Sequence, residues 1–427
     1  MKRFSWLVLF FFLLGGAWGH ADAYDYPFKD PYVATVIGTP SEFQPKLPDK
    51  IDYKMLSFEV FPERVIPDVF WYQREFRYSL TYQKGEAPLI FVIAGTGSSF
   101  YSSNMIFFQR IFYQAGFHVI CLPSPTHMNF ITTASATGLP GNIIADAVDL
   151  YRVMTMAWDQ VKDRIKVSEF YLTGYSLGAS EAAFVAKLDE EKRTFNFKKV
   201  LMINPAVSLY TSAKILDEMI LAALPGGLKD FNDWLNGVLG RFAEVFKETG
   251  YVDLGHDFLY NIYKTVNKTR SPKRENLATM IGFAFRISSN NMIFTSDVMT
   301  NAGLIVPKNL TLESTDSLYE YFRATSNTTF VDYFDDLLFP YYKAKHPELT
   351  QERAIQIVSL HTIQAYLEMS PKIGLMGNED DLILTPQDLN FLKYVFGSRA
   401  KIYPSGGHCG NMSYTENVEY MLNFFKN

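Results

Sequence analysis

The chain has 427 residues, of which 48% are hydrophobic and 20% are charged. This balance is typical of a globular protein with a large core and excludes an intrinsically disordered chain. The formal net charge is -5 and no run of Lys or Arg is present, which argues against nucleic acid and anionic membrane surfaces as electrostatic partners.

The first 23 residues have the pattern of a cleavable signal peptide. Basic residues at positions 2 and 3 precede an uncharged run from Phe4 to Leu14, and a small-residue pattern at 21–23 follows. The apolar stretch is shorter than the roughly 20 residues that a spanning helix needs, which disfavours a membrane anchor. We therefore expect removal of residues 1–23 on export, no stable membrane span in the mature chain, and a periplasmic or secreted location.

Cysteine usage fits an exported protein that is stabilised by its core. Cys121 and Cys409 are the only two cysteines, so a disulfide framework is not expected. Neither lies in a cluster with the spacing of metal ligands, and we therefore expect no metal site.

Residues 24–50 are rich in Pro and Asp and show little periodicity, so we predict an extended arm on the surface. The ordered core is expected to begin at residue 51. From there, apolar runs alternate with helical patterns. The predicted strands are Phe76–Tyr82, Leu89–Ala94, His118–Leu122, Glu169–Thr173, Lys199–Ile203, Lys372–Met376 and Lys401–Tyr403, and the predicted helices are Ser103–Ala115, Ile143–Arg164 and Leu177–Leu188.

Alternation of strands and helices indicates an α/β fold with a mainly parallel sheet and helices on both faces. The pattern changes over residues 209–369, where helical patterns and aromatic residues replace the buried-strand runs. We expect this segment to be a helical lid inserted into a core made of residues 51–208 and 370–427. An independent helical domain is the alternative. Aromatic residues between 330 and 342 either line an acyl pocket or pack the core of the insertion.

The pattern G-x-S-x-G occurs at Gly174, Tyr175, Ser176, Leu177 and Gly178. It directly follows a predicted strand and opens a predicted helix, so the chain must turn sharply at the serine, and the glycines leave room for that turn. The N–H groups and dipole at the start of the helix favour a developing negative charge. The alternative is a glycine-bounded turn without chemistry.

In this context the pattern resembles the nucleophile elbow of the α/β-hydrolase superfamily, in which the chain order is nucleophile, acid, histidine. The resemblance implies the α/β-hydrolase fold and Ser176 as the nucleophile. A serine nucleophile needs a base, usually a neutral imidazole. Of the seven histidines, only His408 lies C-terminal to the candidate acid turn, in a glycine-flanked loop after the last predicted strand. The resemblance therefore implies His408 as the general base.

The turn from Gly377 to Ile383 is similar to the acid turn of the superfamily, G-x-x-D-x followed by two aliphatic residues. That alignment implies Asp380 as the acid of the triad. Glu379 and Asp381 remain alternatives, because an acidic turn on a protein surface is also a common solvated feature.

The loop after the strand Leu89–Ala94 contains Gly95, Thr96 and Gly97. The resemblance implies an oxyanion hole there, with the backbone N–H of Thr96 beside that of Leu177 and with Gly97 as the alternative donor. The superfamily often has a histidine before the first of these glycines, and this chain has Ala94 instead.

Together these residues predict an exported serine hydrolase that cleaves a carboxylic ester or a related acyl bond through an acyl-enzyme intermediate. The chemistry requires no metal or organic cofactor. The expected substrate is a small-molecule or lipid-like acyl compound, and a thioesterase or a peptidase would use the same core. The alternative from another class is a non-catalytic binding protein that keeps the fold and presents the lid to a partner.

Overall fold

The computed structural model describes residues 24–48, 50–223 and 273–426. The predicted signal peptide, residues 1–23, lies outside the described residues, as does the part of the predicted lid between residues 224 and 272. Among the helices that the structure describes, none combines the length and the apolar character needed to cross a bilayer.

One eight-stranded sheet forms the centre of the protein, with the strand order β1-β2-β4-β3-β5-β6-β7-β8. Strands β1, β2 and β4 pair antiparallel, and every pair from β4 to β8 is parallel. This order is that of the α/β-hydrolase fold, so the fold expectation is confirmed. The strands are β1 (Lys54–Phe58), β2 (Phe76–Thr81), β3 (Ala87–Ile93), β4 (His118–Leu122), β5 (Val167–Tyr175), β6 (Lys199–Ile203), β7 (Ile373–Asn378) and β8 (Ala400–Tyr403).

Helices cover both faces of the sheet and the carboxyl edge of its strands. In the described part of the chain they are α1 (Pro31–Ile37), α2 (Ser103–Gln114), α3 (Met128–Thr133), α4 (Ile143–Val161), α5 (Leu177–Lys192), α6 (Leu209–Ala223), α7 (Arg274–Thr300), α8 (Tyr319–Thr325), α9 (Phe330–Tyr333), α10 (Phe339–Lys345), α11 (Gln351–Ile357), α12 (Gln364–Met369), α13 (Pro386–Phe396) and α14 (Thr415–Lys426). Short 3-10 turns lie at Ser41–Phe43, Asp68–Phe70, Leu360–Ile363 and Gly397–Arg399, and a π turn lies at Phe334–Leu338.

Alternate side chains of the central strand β3 enter two separate hydrophobic cores. Leu89 and Phe91 pack with residues of α4 and α5 on one face. Ile90 and Val92 pack with residues of α2 and α14 on the other face. Burial on both faces explains why this strand is a continuous apolar run in the sequence.

The edge strand β1 was not expected from the sequence. Lys54 and Met55 are exposed and the other residues of β1 are only partly buried, so no buried apolar run marks this strand. The strands β4 and β6 match their predicted bounds, since both lie in the buried middle of the sheet.

Residues between β6 and β7 place helices above the carboxyl edge of the sheet. Helices α6 and α7 pack closely, since a Cβ on Gly282 would lie 2.8 Å from the backbone N of Ile220. Farther along α7, Ser288 lies against the loop after β3, where a Cβ on Gly97 would be 2.7 Å from the Ser288 Cβ. The described part of the insertion therefore contacts the loop that carries the candidate oxyanion donor. Its role as a lid stays a prediction.

The prediction of an extended surface arm over residues 24–50 is wrong for the part of that segment from residue 24 to residue 40. It contains α1, and Tyr26 and Ala34 have no exposed surface. Two of the residues that suggested an arm are helix-start signals: the Asp30 carboxylate accepts the N–H groups of Tyr32 and Val33, and Pro31 occupies the first turn.

Candidate active site

A strained turn at the end of β5 presents Ser176. This serine has φ 54° and ψ -127°, a conformation that non-glycine residues rarely adopt. The flanking glycines permit it, because a Cβ on Gly174 would lie 2.2 Å from the Gly178 carbonyl oxygen and a Cβ on Gly178 would lie 2.3 Å from the Ile93 oxygen. Tyr175 is buried beneath the turn. The serine therefore stands at the carboxyl edge of the sheet and at the start of α5.

The imidazole of His408 lies between this serine and a carboxylate. His408 Nε2 is 2.9 Å from Ser176 Oγ, and Nδ1 is 3.0 Å from the nearer oxygen of Asp381. Only 16% of the His408 side chain and 1% of the Asp381 side chain are exposed. The geometry is that of a serine with a general base and an acid that fixes the base in one orientation.

The acid position is a correction to the sequence analysis, because Asp381 and not Asp380 contacts His408. The Glu379 N–H donates to the Tyr403 oxygen, so pairing of β7 with β8 extends past the predicted strand end. The turn after it directs Asp380 to the backbone N–H groups of Gly406 and Gly407, at 3.2 and 2.9 Å. Glu379 is exposed and forms an ion pair with Lys393.

Asn204 supports the carboxylate of Asp381 and was missed by the sequence analysis as a site residue. Its Nδ2 donates to Asp381 Oδ2 at 2.9 Å, and the Ile383 N–H donates to Oδ1 at 3.1 Å. Asn204 follows β6 with φ 47°, in the left-handed region that Asn tolerates better than most residues. The Asn-Pro pair that ends β6 is the feature of the sequence that marks this position. It indicates a turn there but not a contact with Asp381.

Opposing effects set the charge state of His408. Burial disfavours the imidazolium, whereas Cys409, with Sγ 3.8 Å from Nε2, and the Asp381 carboxylate favour it. The net effect raises the pKa of His408 above the ordinary value of about 6.5. Cys409 can favour the imidazolium electrostatically only as a thiolate. We therefore assign the raised pKa of His408 to the Asp381 carboxylate.

The candidate oxyanion donors differ in whether their N–H groups are already bonded. The Gly97 N–H donates to Thr126 Oγ1 at 2.8 Å, which removes it as the free donor. The N–H groups of Thr96 and Leu177 donate to no group in the described part of the chain, and both residues line the cavity at Ser176. Thr96 and Leu177 are therefore the pair that fits an oxyanion hole.

A small, mainly apolar cavity of about 60 Å³ opens at Ser176. Its walls include Leu209 and Ala213 of α6, Met292 of α7, and Phe330 of α9. Phe330 is the one member of the predicted aromatic cluster that reaches this cavity, while Tyr333 and Phe334 are buried in the packing of the insertion. A larger cavity of about 270 Å³ contains none of the candidate site residues in its lining. Phe334, Phe339 and Tyr342 of the aromatic cluster line it together with aliphatic residues such as Ala354 and with the polar residues Asn142, His346 and Glu348.

His127, which follows β4, does not line the cavity at Ser176. Its Nδ1 accepts the N–H of Asn129 at the start of α3, and burial lowers the pKa of His127 to about 4. A neutral imidazole that caps a helix is a structural histidine.

No family model and no curated protein matches the sequence. Among solved structures, an esterase from Rhizomucor miehei has 11% identity and a TM-score of 0.42 over 93% of this chain and 96% of its own. A carboxyl esterase from Bacillus coagulans has 14% identity and a TM-score of 0.41 over 88% and 99%. An acylaminoacyl peptidase from Pyrococcus horikoshii has 9% identity and a TM-score of 0.42 over 89% and 42%. The fold assignment rests on the strand order of the sheet.

Replacement of the two neighbouring carboxylates separates their roles. We expect Asp381→Asn to lower kcat for ester hydrolysis on the order of 10⁴-fold, because the imidazole loses the carboxylate that orients it and stabilises its charged form. Asp380→Asn keeps one of the two acceptor oxygens, so one loop N–H loses its partner but the contact of His408 with Asp381 stays, and kcat should fall on the order of tenfold or less. Steady-state kinetics of both variants, checked for folding by circular dichroism, decide the assignment. A larger loss in Asp380→Asn would restore the original prediction.

The pH profile of kcat/KM tests the charge state of His408. The base must be neutral, and a group with a raised pKa loses its proton only at higher pH, so the acid limb should lie above pH of about 6.5. Asp381→Asn removes a charge that favours the imidazolium and should move the limb of the residual activity to lower pH. Cys409→Ser is the control for the thiol. An acid limb that moves in Cys409→Ser and stays in place in Asp381→Asn would contradict our assignment.

Proposed function

We propose that this chain, which has the α/β-hydrolase fold, is a serine hydrolase that cleaves a carboxylic ester or a related acyl bond. The observation that carries the proposal is the hydrogen-bonded series from Ser176 through His408 to Asp381 at the carboxyl edge of the sheet. A periplasmic or secreted location remains a prediction from the N-terminal sequence alone.

The geometry supports a two-step mechanism. Ser176 Oγ attacks the carbonyl carbon and its proton passes to His408 Nε2, while the ionised Asp381 holds the Nδ1–H. The N–H groups of Thr96 and Leu177 stabilise the oxyanion of the tetrahedral intermediate. Collapse of that intermediate breaks the bond to the leaving group, which takes the proton from Nε2. Water, deprotonated by the same nitrogen, then attacks the acyl-enzyme, and release of the acid restores the serine hydroxyl.

The cavity at Ser176 favours a short, apolar acyl group. The cavity measures about 60 Å³, against about 270 Å³ for the larger, separate cavity, so the space beside Ser176 is the narrower of the two. Among the described residues that line the cavity, none carries a charge that could pair with a substrate carboxylate or ammonium group. We therefore propose that short, apolar acyl groups are the preferred substrates.

A non-catalytic binding protein is the competing reading, and the intact Ser176–His408–Asp381 arrangement disfavours it. A strained serine turn that costs about 1–3 kcal/mol has no evident use in a protein that only presents a surface. Thioesterase and peptidase activities share the same site geometry and are separated by substrate assays.

A fluorophosphonate probe tests the nucleophile directly. We expect the wild-type protein to be labelled once, since Ser176 Oγ is activated by His408, and Ser176→Ala to lose the label. The matched control is Ser168→Ala, which removes an exposed hydroxyl at the other end of β5 and should leave labelling intact. A folded wild-type protein without labelling would favour the binding protein.

The acyl-chain preference tests the cavity assignment. Against nitrophenyl esters of graded acyl length, we expect kcat/KM to be highest for short acyl chains and to fall as the chain lengthens. Ala213→Leu narrows the cavity at Ser176 and should shift the preference toward acetate. Ala354→Leu narrows the larger, separate cavity and is the matched control. A shift caused by Ala354→Leu, without one in Ala213→Leu, would place the acyl chain in the larger cavity.

A further inference from the structure

Residues 24–44, which we call the N-terminal brace, lie outside the central sheet and contact the loop that carries His408. We propose that the brace holds His408 in its working position and that Thr35 is the positioning residue. This inference rests on the proposed function, since it assigns the brace a role in presenting the general base.

The central contact is made by the hydroxyl group of Thr35. Its Oγ1 accepts the backbone N–H of His408 at 2.9 Å and donates to the Pro31 carbonyl oxygen at 2.7 Å. The second bond fixes the hydroxyl to α1 one helical turn earlier, so the acceptor that His408 receives is itself held in place. No group of the core sheet bonds to this N–H.

The loop around His408 has little regular structure of its own. Gly407 and Cys409 flank the histidine with φ 57° and 62°, and the N–H of Gly407 is bonded to Asp380. A Cβ on Gly407 would lie 2.3 Å from the Pro31 oxygen, so the glycine lets α1 approach the loop backbone. The position of the histidine therefore depends on partners outside the loop.

Further contacts anchor the brace to the chain on the C-terminal side of His408. Thr39 Oγ1 donates to the Gly410 carbonyl oxygen at 2.8 Å, and Asn411 Nδ2 donates to the Tyr24 hydroxyl at 2.8 Å. The Tyr24 hydroxyl in turn donates to Asn417 of α14 at 3.0 Å. The brace is thus attached to the C-terminal part of the chain by residues before and after Thr35. These contacts restrain the His408 loop between α1 and α14.

The brace does not touch the cavity where the substrate would bind. A shift of the imidazole by about 1 Å can lower the rate roughly 100-fold, whereas the walls of the cavity would stay in place. Loss of the Thr35 hydroxyl should therefore lower kcat and leave KM nearly unchanged. If Thr35 were merely structural, its loss would lower the fraction of folded protein. The kcat and KM of the protein that still folds would then change little.

Three variants of the full chain test the proposal. Thr35→Val keeps the shape of the side chain and removes the hydroxyl, and we expect kcat to fall about 10- to 100-fold with KM changed by less than about twofold. Thr35→Ser restores the hydroxyl and should recover most of kcat. Thr155→Val is the matched control, because the Thr155 hydroxyl also bonds the carbonyl oxygen four residues earlier in a helix and is similarly half-buried, but lies on α4.

Hydrogen exchange of the peptide around His408 provides a second measurement that does not depend on activity. We expect faster exchange in Thr35→Val and wild-type exchange in Thr35→Ser and Thr155→Val. An active wild type with unchanged kcat in Thr35→Val, or unchanged exchange in that variant, overturns the inference and leaves the proposed function standing. A wild type that is neither active on esters nor labelled by the fluorophosphonate overturns the proposed function, and exchange then reports whether Thr35 holds the loop.

Discussion

The hydrogen bond between Ser176 Oγ and His408 Nε2 joins residues 232 positions apart, and the rest of the site depends on it. Ser176 follows β5 and His408 follows β8, with β6 and β7 between them in the sheet. Parallel pairing puts the carboxyl ends of these strands at one edge, so their turns lie close together although the chain between them is long. The sheet thereby supplies a spacing that no local segment could maintain.

Separate supports hold Ser176 and His408 on the two sides of that bond. The glycines beside Ser176 let the chain turn without a clash, and Asn204 fixes the carboxylate of Asp381 against the ring of His408. The adjacent carboxylates divide the work, since Asp381 orients the imidazole and Asp380 bonds the loop backbone. The N-terminal brace is proposed as a further support. Each support contacts a different group of the site, so mutations can remove the supports one at a time.

The sequence predicted the parts of this arrangement that are written in local patterns. Buried parallel strands are apolar runs, and the turn at Ser176 has its own glycine spacing. It placed the acid in the right turn but preferred Asp380 and kept Asp381 only as an alternative, because the choice between the two depends on how far β7 pairs with β8, which is a long-range property. It also missed the contact of Thr35 with His408, since nothing near residue 35 indicates a partner 373 positions away.

The most direct measurement of the central claim is a crystal structure of the protein after reaction with a fluorophosphonate. We expect phosphorus bonded to Ser176 Oγ and a phosphoryl oxygen within hydrogen-bond distance of the N–H groups of Thr96 and Leu177. We also expect His408 Nδ1 within hydrogen-bond distance of the Asp381 carboxylate and Thr35 Oγ1 as the acceptor of the His408 backbone N–H. An adduct on another residue, or an imidazole turned away from both Ser176 and Asp381, would contradict the account.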